Sequence, residues 1–189
     1  MRLAGVLDAG QRRSLMLALL ADVVAAALAA DGARAVAVVT SDDDAAATAT
    51  RLGIPVVSDA GLPWNEGLAH ALSHVLPAPA GVLFLSADLP AVTVADVSAL
   101  IAAVPARGVA VARARDAGTN ALAVAPARLI TPTFGVARSC AAHVALATAA
   151  GAEAVVVDRP GLSLDLDTPE DLAVALLEGP PDRVWRRVV

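Results

Sequence analysis

The sequence contains no lysine, no tyrosine and a single cysteine, Cys140, and only 2% of its residues are aromatic. Each shortage excludes something. One thiol cannot build a disulfide framework or a cysteine-ligated zinc centre. With so few large rings, the core has to be assembled from Ala, Val and Leu, the bulk of a 57% hydrophobic content. All 14 basic residues are Arg, a mark of GC-rich coding. The net charge of −5 and a pI near 5.0 leave no basic footprint for sequence-independent nucleic-acid binding. The longest apolar run, Leu15–Ala30, is broken by Asp22 and falls short of a comfortable bilayer span. The first residues do not follow a secretory signal pattern. A soluble cytoplasmic protein is expected, with neither nucleic acid nor membrane as partner. Glycine-rich phosphate loops are missing too: neither G-x-G-x-x-G nor G-x-x-x-x-G-K-[ST] occurs.

What is present is an alternation of short apolar strands and Ala-rich helices. Asp8 is placed to cap a helix from about Ala9 to Leu28, followed by a strand over Ala35–Val39, a short helix to Leu52 and a strand over Ile54–Val57. A helix over Asn65–Leu76, a strand over Val82–Ser86 and a Thr93-capped helix to about Val104 come next. Strands over Val109–Ala114 and Ala121–Val124 are joined by a short connection that reads as a hairpin or lid. Then follow a helix over Ser139–Ala150, a strand over Val155–Val157 and a helix over Thr168–Leu177. This pattern predicts one α/β domain with a mainly parallel sheet over residues 1–178 and a tail over 179–189.

The chemistry-bearing residues cluster around the stretch Val82–Pro90. An unbroken apolar run is how a strand reads when both faces are buried; Asp88 follows it, and ligands of open α/β sheets bind beyond the carboxyl ends of the strands. A second acidic stretch places Asp165 and Asp167 two residues apart, so that extended backbone points them the same way. These three carboxylates are candidate ligands for one Mg²⁺. Thr119, the Gly135 N–H, Arg138 and Ser139 are candidate donors to phosphate oxygens, and a helix beginning near Ser139 presents its first N–H groups to an anion. Plainer roles compete: Asp88 can begin a turn, Ser139 can be a simple cap, and Thr168-Pro169-Glu170-Asp171 is a good helix start. His70 and His74 are one turn apart with nothing nearby to complete a metal site. No acid is evident beside Ser139 and His143 to make a catalytic triad.

In order, Arg2-Leu-Ala4, Val38-Val-Thr40, Asn65, Ala87-Asp-Leu-Pro90, Asp116-x-Gly-Thr-Asn-Ala121, Phe134-Gly135 with Ser139 and His143, and Asp165-Leu-Asp-Thr-Pro-x-Asp-Leu172 resemble the 2-phospho-L-lactate or phosphoenolpyruvate guanylyltransferases of coenzyme F-420 biosynthesis. The resemblance spans Arg2 to about Leu177. It implies a three-layer αβα, nucleotide-diphospho-sugar-transferase-like (Rossmann-like) fold and transfer of GMP from GTP to a small phosphorylated carboxylic acid, with release of pyrophosphate. It implies Asp88, Asp165 and Asp167 as Mg²⁺ carboxylates, Asp88 also being catalytic. Thr119, Gly135 and Ser139 are implied as the cradle of the acid, with Arg2 and Asn65 near the nucleotide. Two departures stand out. The family opens with a strand and a lysine-containing loop ending in Thr/Ser-Arg-Leu, of which only Arg2-Leu3 corresponds here, so the first strand is expected to be missing from this chain. The family's Phe-Gly-Pro-x-Ser is here Phe134-Gly-Val-Ala-Arg-Ser139. Alternatives are a molybdopterin- or sugar-directed nucleotidyltransferase of the same fold, or a non-catalytic nucleotide-binding protein. The oligomeric state stays open, a homodimer among the options.

Overall fold

A computed structural model describes residues 3–74 and 80–189. Helix α1 (Ala9–Ala29) starts at a reciprocal cap: Gln11 N–H donates to Asp8 at 2.8 Å and Asp8 N–H donates to the Gln11 side chain at 2.9 Å. Leu15, Leu19, Val23 and Ala26 form its buried stripe. Asp22, which interrupts the apolar run, is buried as well, because its carboxylate accepts the Val184 and Trp185 N–H groups at 3.2 Å each. Residues 179–189, expected to trail away, therefore pack against the fold. Trp185 is fully buried, its indole N–H donates to the Pro90 carbonyl at 2.9 Å, and Arg186 donates to the carbonyls of Ala175, Leu176, Gly179 and Pro180. A lone Trp after Gly-Pro-Pro makes no periodic pattern, and so the sequence reads as an exit.

The sheet has two parts. Strands β1 (Val38–Val39) and β2 (Val56–Val57) pair in parallel. Strands β3 (Val82–Leu85), β4 (Gly108–Arg113), β5 (Thr119–Ala125) and β6 (Glu153–Val157) form the second, in the order β3-β5-β4-β6. β5 runs antiparallel to both its neighbours, and β4 and β6 are parallel. The expected mainly parallel sheet is thus a mixed one. The physical reason is the connection from Ala114 to Gly118: a loop that short reverses the chain and cannot carry a parallel crossover. Between α1, β1 and the end of β3, a cavity of about 360 Å³ is lined by Met16, Leu20, Val38, Val39 and Ala87, among others.

β4 and β5 are buried on both faces. Ala110, Ala112, Ala121 and Ala123 pack against α1 and against α4 (Val94–Ala103) through Val23, Ala26, Val97 and Leu100. Val109, Val111, Leu122 and Val124 face the other way, toward Phe134 and toward Cys140 and Ala147 of α5 (Ser139–Ala149). Small side chains on one face and branched ones on the other, with helices over both, give the three layers. In chain order α2 (Asp43–Arg51) follows β1 and α3 (Trp64–Ser73) follows β2, and after β6 come the one-turn α6 (Pro160–Ser163) and α7 (Pro169–Glu178). Thr168 caps α7 with Asp171 completing the box, as the sequence indicated. Val75 and Leu76, expected in α3, lie outside the described residues. No helix among the described residues is long and apolar enough to cross a membrane.

Candidate functional site

Because β5 is antiparallel to β3, its first residues lie beside β3's last: Leu85 pairs with Ala121, and Ser86 N–H donates to the Asn120 carbonyl at 2.9 Å. Thr119, Asn120 and Asp88 therefore share one end of the sheet. The second acidic segment is tied there by a backbone bond, Leu166 N–H to the Asp88 carbonyl at 3.0 Å. Around that bond burial alternates: Leu164 and Leu166 are buried, while Asp165 and Asp167 are partly exposed. The two-residue spacing thus puts both aspartates on the side opposite the core, adjoining Asp88.

Burial and like charge act together on these carboxyls. Burial, then the nearby Asp165 carboxylate and more weakly Asp167, push the Asp88 carboxyl up to about 6. Burial likewise raises Asp165, partly offset by Asn120, whose amide donates to it at 3.4 Å. A cluster that resists its own ionisation is one that a cation relieves. Among the described residues no three His, Cys, Asp or Glu side chains form a group that could hold a metal ion alone. Mg²⁺ ordinarily takes only one or two protein carboxylates and completes its shell with water and substrate phosphates. The all-oxygen donor set of Asp88 with Asp165 or Asp167 fits that share of a shell. The His70 and His74 rings meet at 4.3 Å, tilted by 50°, and among the described residues they have no third ligand.

The second half of the site is neutral. Thr119, Ser139 and His143 are all buried. Ser139 O–H donates to Thr119 Oγ1 at 3.1 Å, Thr119 Oγ1 lies 3.0 Å from His143 Nδ1, and His143 Nε2 accepts the Thr133 N–H at 2.9 Å. Burial pushes the imidazole down to about 4. Ser139 is the first helical residue of α5, not its cap. Arg138 occupies that position in the left-handed region (φ 57°) and makes no side-chain capping bond, so its side chain does not occupy the first N–H groups of α5. Gly135, which is exposed, also has positive φ (75°), which permits its turn.

Asn65 sits at the start of α3, with its amide spent at both ends on Phe134: it donates to the carbonyl at 2.9 Å and accepts the N–H at 2.7 Å. It splints the Phe134–Gly135 turn. Trp64 stacks on Phe134 at 5.4 Å. Arg2 lies outside the described residues. Two site residues carried no role in the sequence reading. Asn120, next to Thr119 on β5, ties the hydroxyl side to Asp165; a strand start facing an acidic segment is visible only once β3 and β5 are paired. His143 was flagged only by its spacing from Ser139.

A three-layer mixed sheet with an acidic cluster at one strand end defines a nucleotidyltransferase-like protein, and solved structures agree on the fold. A protein described as a nucleotide-diphospho-sugar transferase from Desulfovibrio desulfuricans superimposes with a TM-score of 0.80, at 16% identity, covering 99% of this chain and 85% of that one. The family can be stated more narrowly. The chain matches the family described as "Guanylyl transferase CofC like" over residues 1–184 and belongs to it. It is 40% identical to the phosphoenolpyruvate guanylyltransferase of Sphaerobacter thermophilus, covering 90% of this chain and 83% of that protein. It is 38% identical to the 3-phospho-D-glycerate guanylyltransferase of Phenylobacterium zucineum, covering 96% and 85%.

Proposed function

We propose that this guanylyltransferase joins GMP from GTP to phosphoenolpyruvate, in coenzyme F-420 biosynthesis. A phosphate oxygen of the acid attacks the α-phosphorus of GTP, forming a P–O–P bond, and the bond to the β-phosphate oxygen breaks to release pyrophosphate. Such a reaction asks little covalent chemistry of the protein and much positioning and charge stabilisation. The observation that carries this reading is the Leu166–Asp88 backbone bond, which sets an acidic cluster next to a neutral hydroxyl cradle at one sheet end.

In this reading Asp88, with Asp165 or Asp167, holds Mg²⁺, which when bound neutralises charge developing on the phosphates. Thr119, Ser139, the Gly135 N–H and the N–H groups at the start of α5 orient the acid. Its attacking oxygen is thereby turned toward the acidic half. Asn65 keeps the Gly135 turn in place, so its contribution near the nucleotide is one of support.

The acid is the open variable, because one relative at similar identity is named for 3-phospho-D-glycerate. Pyrophosphate release from GTP, measured with phosphoenolpyruvate, 3-phosphoglycerate and 2-phospho-L-lactate in turn, decides it. The highest kcat/KM is expected with phosphoenolpyruvate. Equal release with no acid present would contradict the acceptor cradle, and release from CTP or ATP at the same efficiency would contradict the choice of GTP.

A further inference from the structure

We propose that His143 is a positioning residue: by donating from Nδ1 to Thr119 Oγ1, it leaves one hydroxyl hydrogen of the Thr119–Ser139 pair for the bound acid. This rests on the acceptor reading of the cradle given above. The steps are a proton inventory. The Thr133 backbone N–H can only donate, and it meets His143 Nε2 at 2.9 Å. Nε2 is therefore the unprotonated nitrogen, and in a neutral ring the proton must sit on Nδ1. Burial keeps the ring neutral. Nδ1 faces Thr119 Oγ1 at 3.0 Å and shares its proton with the Ser139 backbone carbonyl one turn back on α5, so the threonine oxygen is an acceptor. Ser139 O–H donates to the same oxygen at 3.1 Å.

A hydroxyl oxygen has two acceptor positions and one hydrogen. Both acceptor positions of Thr119 are then occupied, and among the described residues its hydrogen has no acceptor. Should the two hydroxyls exchange roles, the uncommitted hydrogen moves to Ser139, and the pair still keeps one. With the opposite imidazole tautomer, Thr119 would donate into Nδ1 and present lone pairs to an incoming anion. The fully buried ring also meets Phe134 edge-on at 5.2 Å, beside Gly135. One side chain thus sets both the hydroxyl direction and the entry of the glycine turn. A plain core histidine would need neither the backbone donor on Nε2 nor the hydroxyl on Nδ1.

The test uses steady-state kinetics with phosphoenolpyruvate and GTP on five variants. Asn places an amide N–H near the position of Nδ1, whereas Gln reaches only toward Nε2. His143→Phe and His143→Gln are expected to raise the KM for the acid by about 10- to 100-fold, the weight of one hydrogen bond to a charged group. The KM for GTP is expected to stay within about twofold, and His143→Asn to recover most of the acid affinity. Thr119→Val combined with His143→Phe is expected to be no worse than Thr119→Val alone, since both act through one hydroxyl. Equal behaviour of the Asn and Gln variants, a parallel rise in both KM values, or additive effects in the double variant would overturn the proposal. The Asn–Gln contrast decides even where the Phe variant fails to fold. A wild-type protein that shows no acid-dependent turnover overturns the cradle reading and this proposal together; an active wild type with an unchanged His143→Phe overturns the proposal alone.

Discussion

The two halves of the site are built on opposite electrostatic terms. Asp88, Asp165 and Asp167 are drawn together by a backbone bond, and burial, with like charge beside it, raises the Asp88 and Asp165 carboxyls. Thr119, Ser139 and His143 are neutral, buried and mutually hydrogen bonded. In the proposed reaction the acidic half takes up a cation, whereas the hydroxyl half is already organised by its own hydrogen bonds. A reaction between two phosphorylated substrates needs both: a place where anionic charge is cancelled, and a place where one anion is held still.

The largest expected break of that contrast is Asp88→Asn. Losing the charge that positions the cation should lower turnover by about 10²–10³-fold, the scale of removing one preorganised electrostatic group, as read by pyrophosphate release. Thr119→Val attacks the other half. It should raise the KM for the acid by about 10- to 100-fold and leave the KM for GTP nearly unchanged, since it removes a hydrogen bond to an anion and no charge. Asn65→Ala frees the Phe134–Gly135 turn and should raise the acid KM by about tenfold, the effect of one lost backbone splint.

Stability separates the halves with smaller effects and opposite signs. Asp88 has a raised carboxyl, so the native state holds its proton more tightly than the unfolded chain does. That contribution is present below about pH 4 and is lost as pH rises through about 6. In metal-free buffer, Asp88→Asn should therefore match the wild type near pH 4 and melt a few degrees higher at pH 8; about 1 kcal/mol moves Tm by roughly 2–4 °C in a domain of this size. Added Mg²⁺ should raise the wild-type Tm at pH 8 and leave the variant unmoved. His143 has a depressed imidazole, so its contribution is present above about pH 6.5 and lost as pH falls toward 4. His143→Phe should flatten that acid limb. Melting curves of the single variants across pH 4–8 check both slopes.

The acidic half was far more legible in the sequence than the neutral one. Asp88 after an apolar run, and Asp165 and Asp167 in alternation with leucines, follow from strand periodicity alone. Their proximity needed the fold, because it rests on the Leu166 N–H, which no side-chain pattern announces. The helices were legible through their caps, at Asp8, Thr93 and Thr168. Legibility failed where tertiary contacts decide. The β4–β5 hairpin is legible, but the insertion of β5 between β3 and β4, which makes the sheet mixed, is not. Trp185 is buried where Asp22, 163 residues earlier in the chain, accepts its backbone N–H. Asn65 holds Phe134 with both ends of its amide, a tie between residues 69 apart that no side-chain pattern shows. The role of His143 depends on a backbone N–H ten residues earlier, at Thr133.

The most direct measurement is the formation of guanylylated acid from GTP and phosphoenolpyruvate with Mg²⁺, followed by mass spectrometry for the wild type, Asp88→Asn and Thr119→Val side by side. Product from the wild type, almost none from Asp88→Asn, and product from Thr119→Val that recovers at high acid concentration is the expected pattern. Undiminished product from Asp88→Asn, or a Thr119→Val defect that no amount of acid repairs, would contradict a site made of one charge-cancelling half and one anchoring half.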